Sequence, residues 1–111
     1  MVSKDVKKLI QKLVAELAKG NYSIIKEPPF QSRCNPEDIA RVIEDYGRTI
    51  TNLPNEAFNF YKAIPVKGEK SKYALDVDLW TKEQGRSDLT LQLTVSDQEN
   101  LVIEVDDLHI L

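Results

Sequence analysis

The stretch LTLQLTV, residues 89–95, decides the fold, because apolar and polar residues alternate along all of it. Successive side chains of a β-strand point to opposite faces of a sheet, so this period of two predicts a strand with one buried face. The same alternation occurs before it at residues 73–79 and after it at residues 101–105. The turns between these segments are too short for crossover connections, so we expect an antiparallel meander.

Helices are predicted upstream of the strands. Within residues 3–20 the apolar residues recur at steps of three and four, which places them on one stripe of a helix. Residues 35–47 begin with Asn-Pro, which is typical of a helix start, and repeat that spacing. A weak alternation over residues 58–66 adds a fourth strand. We therefore expect one α+β domain, residues 1–111, with two N-terminal helices packed on a curved antiparallel sheet of three to four strands.

Aligning the three alternating segments predicts the register of the sheet. The predicted apolar pairs are Leu79–Leu89, Val77–Leu91, Leu75–Leu93, Leu91–Val105 and Leu93–Ile103. On the other face the predicted polar rows are Asp78–Thr90–Asp106 and Asp76–Gln92–Glu104. A neutral middle strand would separate the carboxylates by about 10 Å, which is about one Debye length in physiological salt. We therefore expect an acidic outer face.

The last predicted strand contains an irregularity. Val105 and Leu108 are three residues apart and cannot both face the core along an unbroken strand. A β-bulge at Asp106-Asp107 would return Leu108 and Ile110 to the apolar face and bend the strand. We therefore expect a curved sheet, whose concave side is a natural place for a pocket.

Composition narrows the classes of function. The chain is 41% apolar and 30% charged, which is typical of a globular domain. Charged residues interrupt the N-terminal apolar residues and no segment reaches a membrane-spanning length, so we expect a cytoplasmic protein without a membrane partner. A formal net charge of -3 disfavours nucleic acid as a partner.

Few residues offer catalytic or metal chemistry. Cys34 and His109 are the only cysteine and histidine, which is too few for a zinc site, and no glycine-rich phosphate loop occurs, so we expect no metal and no cofactor. The best catalytic arrangement is His109 with a strand carboxylate as its orienting acid. The candidate carboxylates are Asp76, Asp78 and Asp106. The alternative is that His109, two residues from the end, has no special role.

Trp80 and Arg86 flank the turn at residues 81–85, and a tryptophan beside an arginine is typical of a recognition hot spot. The same residues are equally consistent with a turn held by an Arg86–Asp88 or Arg86–Glu83 pair. In that case Trp80 covers the end of the sheet.

Three segments carry a resemblance to known families: EDYGRT at residues 44–49, LWTKEQGRSDLTL at residues 79–91, and IEVDDLHIL at residues 103–111. Together they resemble a family of small bacterial proteins of unknown function, over nearly the whole chain. More distantly, the order of helices and sheet resembles the cone-shaped, cystatin-like superfamily named after nuclear transport factor two. That superfamily implies a pocket between helices and sheet, although this chain lacks the buried His-Asp pair of its enzymatic members. In size, charge and compartment the chain also resembles the immunity partners of bacterial toxins.

The leading expectation is a non-enzymatic protein-binding protein, an immunity-type inhibitor that presents its acidic sheet face to a basic toxin domain. The expected partner-binding residues are Asp76, Asp78, Trp80, Arg86, Glu104, Asp106 and His109. The alternative is a small-molecule binder or enzyme of the cone-shaped class, with a pocket near His109. A homodimer that packs through the polar faces is a third expectation.

Overall fold

The helices and strands are taken from a computed structural model, which describes residues 2–59, 62–68, 71–97 and 100–110. The helices are α1 (Lys4–Ala18) and α2 (Pro36–Tyr46), with short 3-10 helices at Tyr22–Lys26 and Asn55–Asn59. The strands are β1 (Phe30–Ser32), β2 (Ile50–Thr51), β3 (Lys62–Pro65), β4 (Lys72–Thr81), β5 (Gly85–Asp97) and β6 (Leu101–Ile110).

Both predicted helices are present, and local interactions set their ends. The Ser3 hydroxyl accepts a hydrogen bond from the Val6 N–H at 3.2 Å, which caps the start of α1. In α2, Pro36 occupies the first turn, where its missing N–H costs nothing. Gly47 ends α2 with a left-handed φ of 75°, a conformation that glycine adopts without strain.

The strands form one curled sheet of mixed direction, ordered β1-β6-β5-β4-β2, and β3 pairs with β4 as well. β4, β5 and β6 are the predicted antiparallel meander. The predicted count of three to four strands was too low, because β1 adds parallel to β6 and β2 adds to β4. These two strands have three and two residues, too few to show a period of two in the sequence.

The strand predicted over residues 58–66 is present only in part. The described portion is a 3-10 helix that ends at Asn59, followed by β3. Phe60 and Tyr61, which belong to the same prediction, lie outside the described residues.

The core lies between the helices and one face of the sheet. α1 buries all of its predicted stripe except Leu9, which is partly buried, whereas α2 buries Ile39 fully and its other apolar residues partly. From the sheet, the inward side chains are Leu75, Val77, Leu79, Leu89, Leu91, Leu93, Val95, Ile103, Val105 and Leu108. Since both helices lie against this face, the other face has no helix on it among the described residues.

The predicted register holds between β4 and β5 and fails between β5 and β6. Val77–Leu91 and Leu75–Leu93 pair as expected. The predicted pairs of Leu91 with Val105 and of Leu93 with Ile103 were wrong, since Leu93 pairs with Val105. The reason is the hairpin, whose last pair is Asp97–Leu101, so it turns later than the alternation alone suggested.

The predicted bulge in the last strand is present. Gln92 pairs with Asp107 and Leu93 with Val105, which leaves Asp106 as the extra residue of β6. Beyond this point Leu108 returns to the core, where it is 2% exposed.

A second irregularity replaces the predicted Leu79–Leu89 pair. The register of β4 and β5 shifts between Asp78 and Trp80. There the buried Ser87 hydroxyl donates to the Leu79 carbonyl at 2.7 Å and accepts from the Leu89 N–H at 3.2 Å. A side chain therefore satisfies backbone groups that the ladder leaves unpaired.

The turn between β4 and β5 is tied to the short edge strand β2. The Thr49 N–H and hydroxyl donate to the two carboxylate oxygens of Glu83, at 2.9 and 2.8 Å. Thr49 also accepts from the Lys82 N–H at 2.9 Å. Because the two Thr49 donors stabilise the ionised carboxylate, they lower the pKa of Glu83 below its ordinary value.

This anchor predicts a pH-dependent effect of Glu83→Gln. The lowered pKa means that the folded state binds fewer protons than the unfolded state, so the contribution of Glu83 is present above the ordinary carboxyl pKa of 4.5 and is lost as pH falls below it. We expect Glu83→Gln to lower the urea midpoint at neutral pH and to match the parent protein in acid.

Urea unfolding at a series of pH values measures this difference. Glu56→Gln, at an exposed residue of the second 3-10 helix, is the matched control. If both variants lowered the urea midpoint by the same amount and with the same pH dependence, the anchoring role of Glu83 would be contradicted.

Candidate protein-binding surface

The polar face of the meander, which we call the outer face, carries most of the predicted site residues. Its cross-strand rows are Asp78–Thr90–His109, Asp76–Gln92–Asp107 and Ala74–Thr94–Glu104. The predicted rows had placed Asp106 and Glu104 opposite Thr90 and Gln92, and those positions were wrong for the register reason given above. His109 and Asp107 take their places.

One polar cluster on the outer face is centred on Asp78. Its carboxylate accepts from Arg86 Nε at 2.8 Å and from the Thr90 hydroxyl at 3.1 Å. The side chain of Asp78 is only 19% exposed, so its neighbours hold it in place. The two carboxylates predicted to hold Arg86 at the turn have other contacts: Asp88 accepts from the Tyr46 hydroxyl and Glu83 accepts from the Thr49 N–H.

A second polar cluster surrounds the bulge residue Asp106. The Thr94 hydroxyl donates to Asp106 Oδ2 at 2.6 Å. Arg33 Nε lies 3.5 Å from Asp106 Oδ1 and 3.7 Å from Glu104 Oε1. Asp106 Oδ1 is buried and has no hydrogen-bond partner among the described residues, so the Arg33 charge is its main compensation.

Arg33 is the residue of this face that the sequence did not indicate. It follows β1, and its position depends on the parallel pairing of β1 with β6, which joins residues about 70 apart in the chain. No local pattern around Arg33 signals that pairing.

The outer face is therefore mixed in charge rather than acidic throughout. Three of the four predicted carboxylates, Asp78, Glu104 and Asp106, lie within ion-pair distance of an arginine. The remaining one, Asp76, lies opposite Gln92 in the register. The two arginines reduce the field of the face and fix its side chains.

Trp80 lies at the end of the outer face, opposite Arg86 on β5 and Thr51 on β2. Its ring is 3.6 Å from the position that a Cβ would take at Gly85, so it covers the turn as one of the two interpretations expected. Its indole Nε1 is buried and finds no acceptor among the described residues.

His109 pairs with a carboxylate that was not among the predicted ones. Its Nδ1 lies 2.8 Å from Asp107 Oδ2, while Asp107 Oδ1 accepts from the Leu108 N–H at 2.8 Å. Pairing with Asp76, Asp78 or Asp106 was the wrong expectation, because the bulge brings Asp107 onto the face of His109. Both side chains are solvent-accessible, 37% for His109 and 55% for Asp107.

A cleft opens beside His109, at the edge of the sheet. It has a volume of about 270 Å³ and lies between α2 and the ends of β5 and β6. The residues that line it are Val42, Asp45, Tyr46, Leu89, Leu108, His109 and Ile110. The wall at Tyr46 is fixed by the hydrogen bond from its hydroxyl to Asp88 Oδ1 at 2.6 Å, which raises the pKa of the Tyr46 hydroxyl.

The described part of the chain contains no group of three or more His, Cys, Asp or Glu placed to hold a metal ion. The Cys34 thiol donates to the Asp106 carbonyl at 3.5 Å, and burial raises its pKa, which favours the unreactive protonated form. Within the same residues, neither helix is long and apolar enough to cross a membrane.

The Asp106 cluster predicts that the hydroxyl of Thr94 matters more for stability than the charge of Arg33. We expect Thr94→Val to cost about 1–3 kcal/mol, because a mostly buried carboxylate loses its short hydrogen bond. Arg33→Ala should cost less than about 1 kcal/mol, since the exposed arginine is screened by solvent. Thr94→Ser, which keeps the hydroxyl, is the control. Denaturant unfolding at neutral pH measures all three, and a larger loss for Arg33→Ala would contradict this ranking.

Comparison with known proteins places this surface within a family. A family model described as "Domain of unknown function (DUF7668)" matches residues 14–111, which include the outer face and the cleft. Curated proteins and solved structures give no match. The chain therefore belongs to the DUF7668 family, whose function is unknown.

Proposed function

We propose that this protein is a non-enzymatic binding domain whose outer face docks a protein partner, and that it acts as an immunity-type inhibitor of a basic toxin domain. The observation that carries the proposal is the pre-arranged polar surface of the meander, where carboxylates and arginines hold one another in place beside Trp80. The helices occupy the opposite face. On the outer face Arg86, Asp107 and His109 are each more than a third exposed, whereas Thr90 is buried.

The fixed side chains favour binding for an energetic reason. Association costs conformational entropy when long side chains become immobile, and Arg86, which already donates to Asp78 at 2.8 Å, loses less of it. Arginine and tryptophan are also the residue types enriched in binding hot spots. Arg33, Arg86 and Trp80 are therefore the proposed anchors of the outer face.

Charge supports a basic partner. The net charge is -3, and the outer face carries Asp76, Asp78, Glu104 and Asp106. Three of these carboxylates lie beside Arg33 or Arg86, and Asp76 lies opposite Lys62 in the register. An excess of negative charge speeds the approach of a positively charged partner. This effect becomes weaker as the salt concentration increases. Toxin domains that act on nucleic acid need basic surfaces, so such a domain is a fitting partner.

A second candidate function is favoured by the cleft. The His109–Asp107 pair has the arrangement of a base and its orienting acid, and it lies beside a cavity with apolar walls. A small-molecule binder or enzyme would use this site. Its weakness is exposure, since catalytic pairs work best where water is excluded.

The proposed function predicts that a neighbouring reading frame encodes a toxin domain, and that neutralising two outer-face carboxylates slows association with it. We expect Asp76→Asn with Glu104→Gln to lower the association rate constant about tenfold at low salt and to flatten its salt dependence. Glu27→Gln with Glu44→Gln changes the net charge equally at exposed positions away from the outer face, and should have less than about a twofold effect.

Surface plasmon resonance at several salt concentrations measures both rate constants, and growth of cells that express the toxin domain measures neutralisation. If the neighbouring frames encode no protein that this chain binds, or if both pairs of substitutions act equally, the proposal fails. A mass that doubles with concentration and is reversed by the outer-face pair would instead favour the homodimer.

A further inference from the structure

We propose that the cleft beside His109 is a second docking site, which takes an apolar side chain flanked by lysine or arginine from a segment of the protein partner. This inference rests on the proposed function, because it extends the partner's contact surface from the outer face around the edge of the sheet.

The apolar character of the cleft comes from both its floor and its wall. Leu89 and Leu108 are buried beneath it, and Val42 of α2 forms part of the wall. Ile110 lines the cleft and is 56% exposed, so a large aliphatic side chain faces solvent at this point. Covering Ile110 with an apolar partner group would remove that surface from water.

The shape of the cleft favours a side chain over a free small molecule. Small-molecule sites usually have about 300–1,000 Å³ and enclose most of their ligand. This cleft has about 270 Å³ and opens at the edge of the sheet. An inserted side chain needs only such a shallow site, because the rest of its chain stays outside and contacts the surrounding surface.

The charge around the cleft favours a partner segment in which lysine or arginine lies beside the inserted apolar side chain. Asp45 lies in the lining, Asp88 is bonded to Tyr46, and Asp107 is bonded to His109. Arg48 is a nearby cation, whose charge opposes the rise in the pKa of the Tyr46 hydroxyl and contributes to the lowered pKa of Glu83. The remaining excess of carboxylates attracts lysine or arginine and repels a second copy of the same rim.

His109 connects the cleft with the outer face. It lies in the row that contains Thr90 and Asp78, and it also lines the cleft. A partner that covers the outer face therefore reaches the cleft without crossing another element. The imidazole and its Asp107 partner stand between the two contact areas.

Peptide titration tests the chemical preference of the cleft without the toxin domain. In ¹H–¹⁵N NMR spectra, we expect acetyl-Lys-Leu-Lys-amide to shift the backbone amides of Tyr46, His109 and Ile110, with a dissociation constant of about millimolar. Acetyl-Glu-Leu-Glu-amide should shift them far less. No shift with the basic peptide, or equal shifts with both peptides, would overturn the inference.

Two matched isoleucines separate the cleft from general surface effects. Ile110→Ser removes the exposed residue of the cleft, whereas Ile64→Ser removes an isoleucine of β3 with nearly the same exposure, 59%. We expect Ile110→Ser to weaken binding of the basic peptide and to speed dissociation of the toxin-domain complex about fivefold or more. Ile64 lies opposite Ala74 of the outer face, away from the cleft, so Ile64→Ser should leave binding of the basic peptide unchanged.

The outcomes distinguish this inference from the proposed function. One outcome is that outer-face substitutions slow association with the toxin domain while Ile110→Ser changes neither the affinity for the basic peptide nor the dissociation rate of the complex. In that case the cleft inference is wrong and the proposed function stands. If the basic peptide binds the cleft and no neighbouring toxin domain binds the chain, the proposed function is wrong, while the preference of the cleft for an apolar, basic segment is supported.

Discussion

The extra residue that β6 accommodates at Asp106 determines which side chains face the core and which lie on the outer face. In a strand with a period of two, one added residue exchanges the two faces for everything that follows. It therefore returns Leu108 to the core and puts Asp107 and His109 on the outer face. The bulge is held from several directions, by the hydroxyl of Thr94, the guanidinium of Arg33 and the thiol of Cys34.

The same bulge links the stability of the sheet to its binding surface. Asp106 is a mostly buried carboxylate, so it needs compensation, which comes from the Thr94 hydroxyl and from the charge of Arg33 on the outer face. At the other end, Asp78 accepts a hydrogen bond from Arg86 at 2.8 Å. Polar contacts of this kind suit the specific association that we propose for the outer face.

The sequence contained enough information for the elements whose signals are local. The alternation at residues 89–95 predicted the meander, the helical spacing predicted α1 and α2, and the three-residue step from Val105 to Leu108 predicted the bulge. What it could not provide depends on distant pairing. β1 and β2 are too short to show a pattern. The position of the turn between β5 and β6 fixed their register, and the alternation did not show where that turn lies. Arg33 reaches Asp106 only after β1 pairs with β6.

The most direct test is the register of β5 and β6 in solution, measured from cross-strand nuclear Overhauser effects between backbone protons. A bulge at Asp106 predicts contacts of Leu93 with Val105 and of Leu91 with Leu108. An unbroken ladder, with Leu91 facing Val105 and Leu93 facing Ile103, would put Leu108 and His109 on the opposite faces. That result would contradict both the outer face and the cleft.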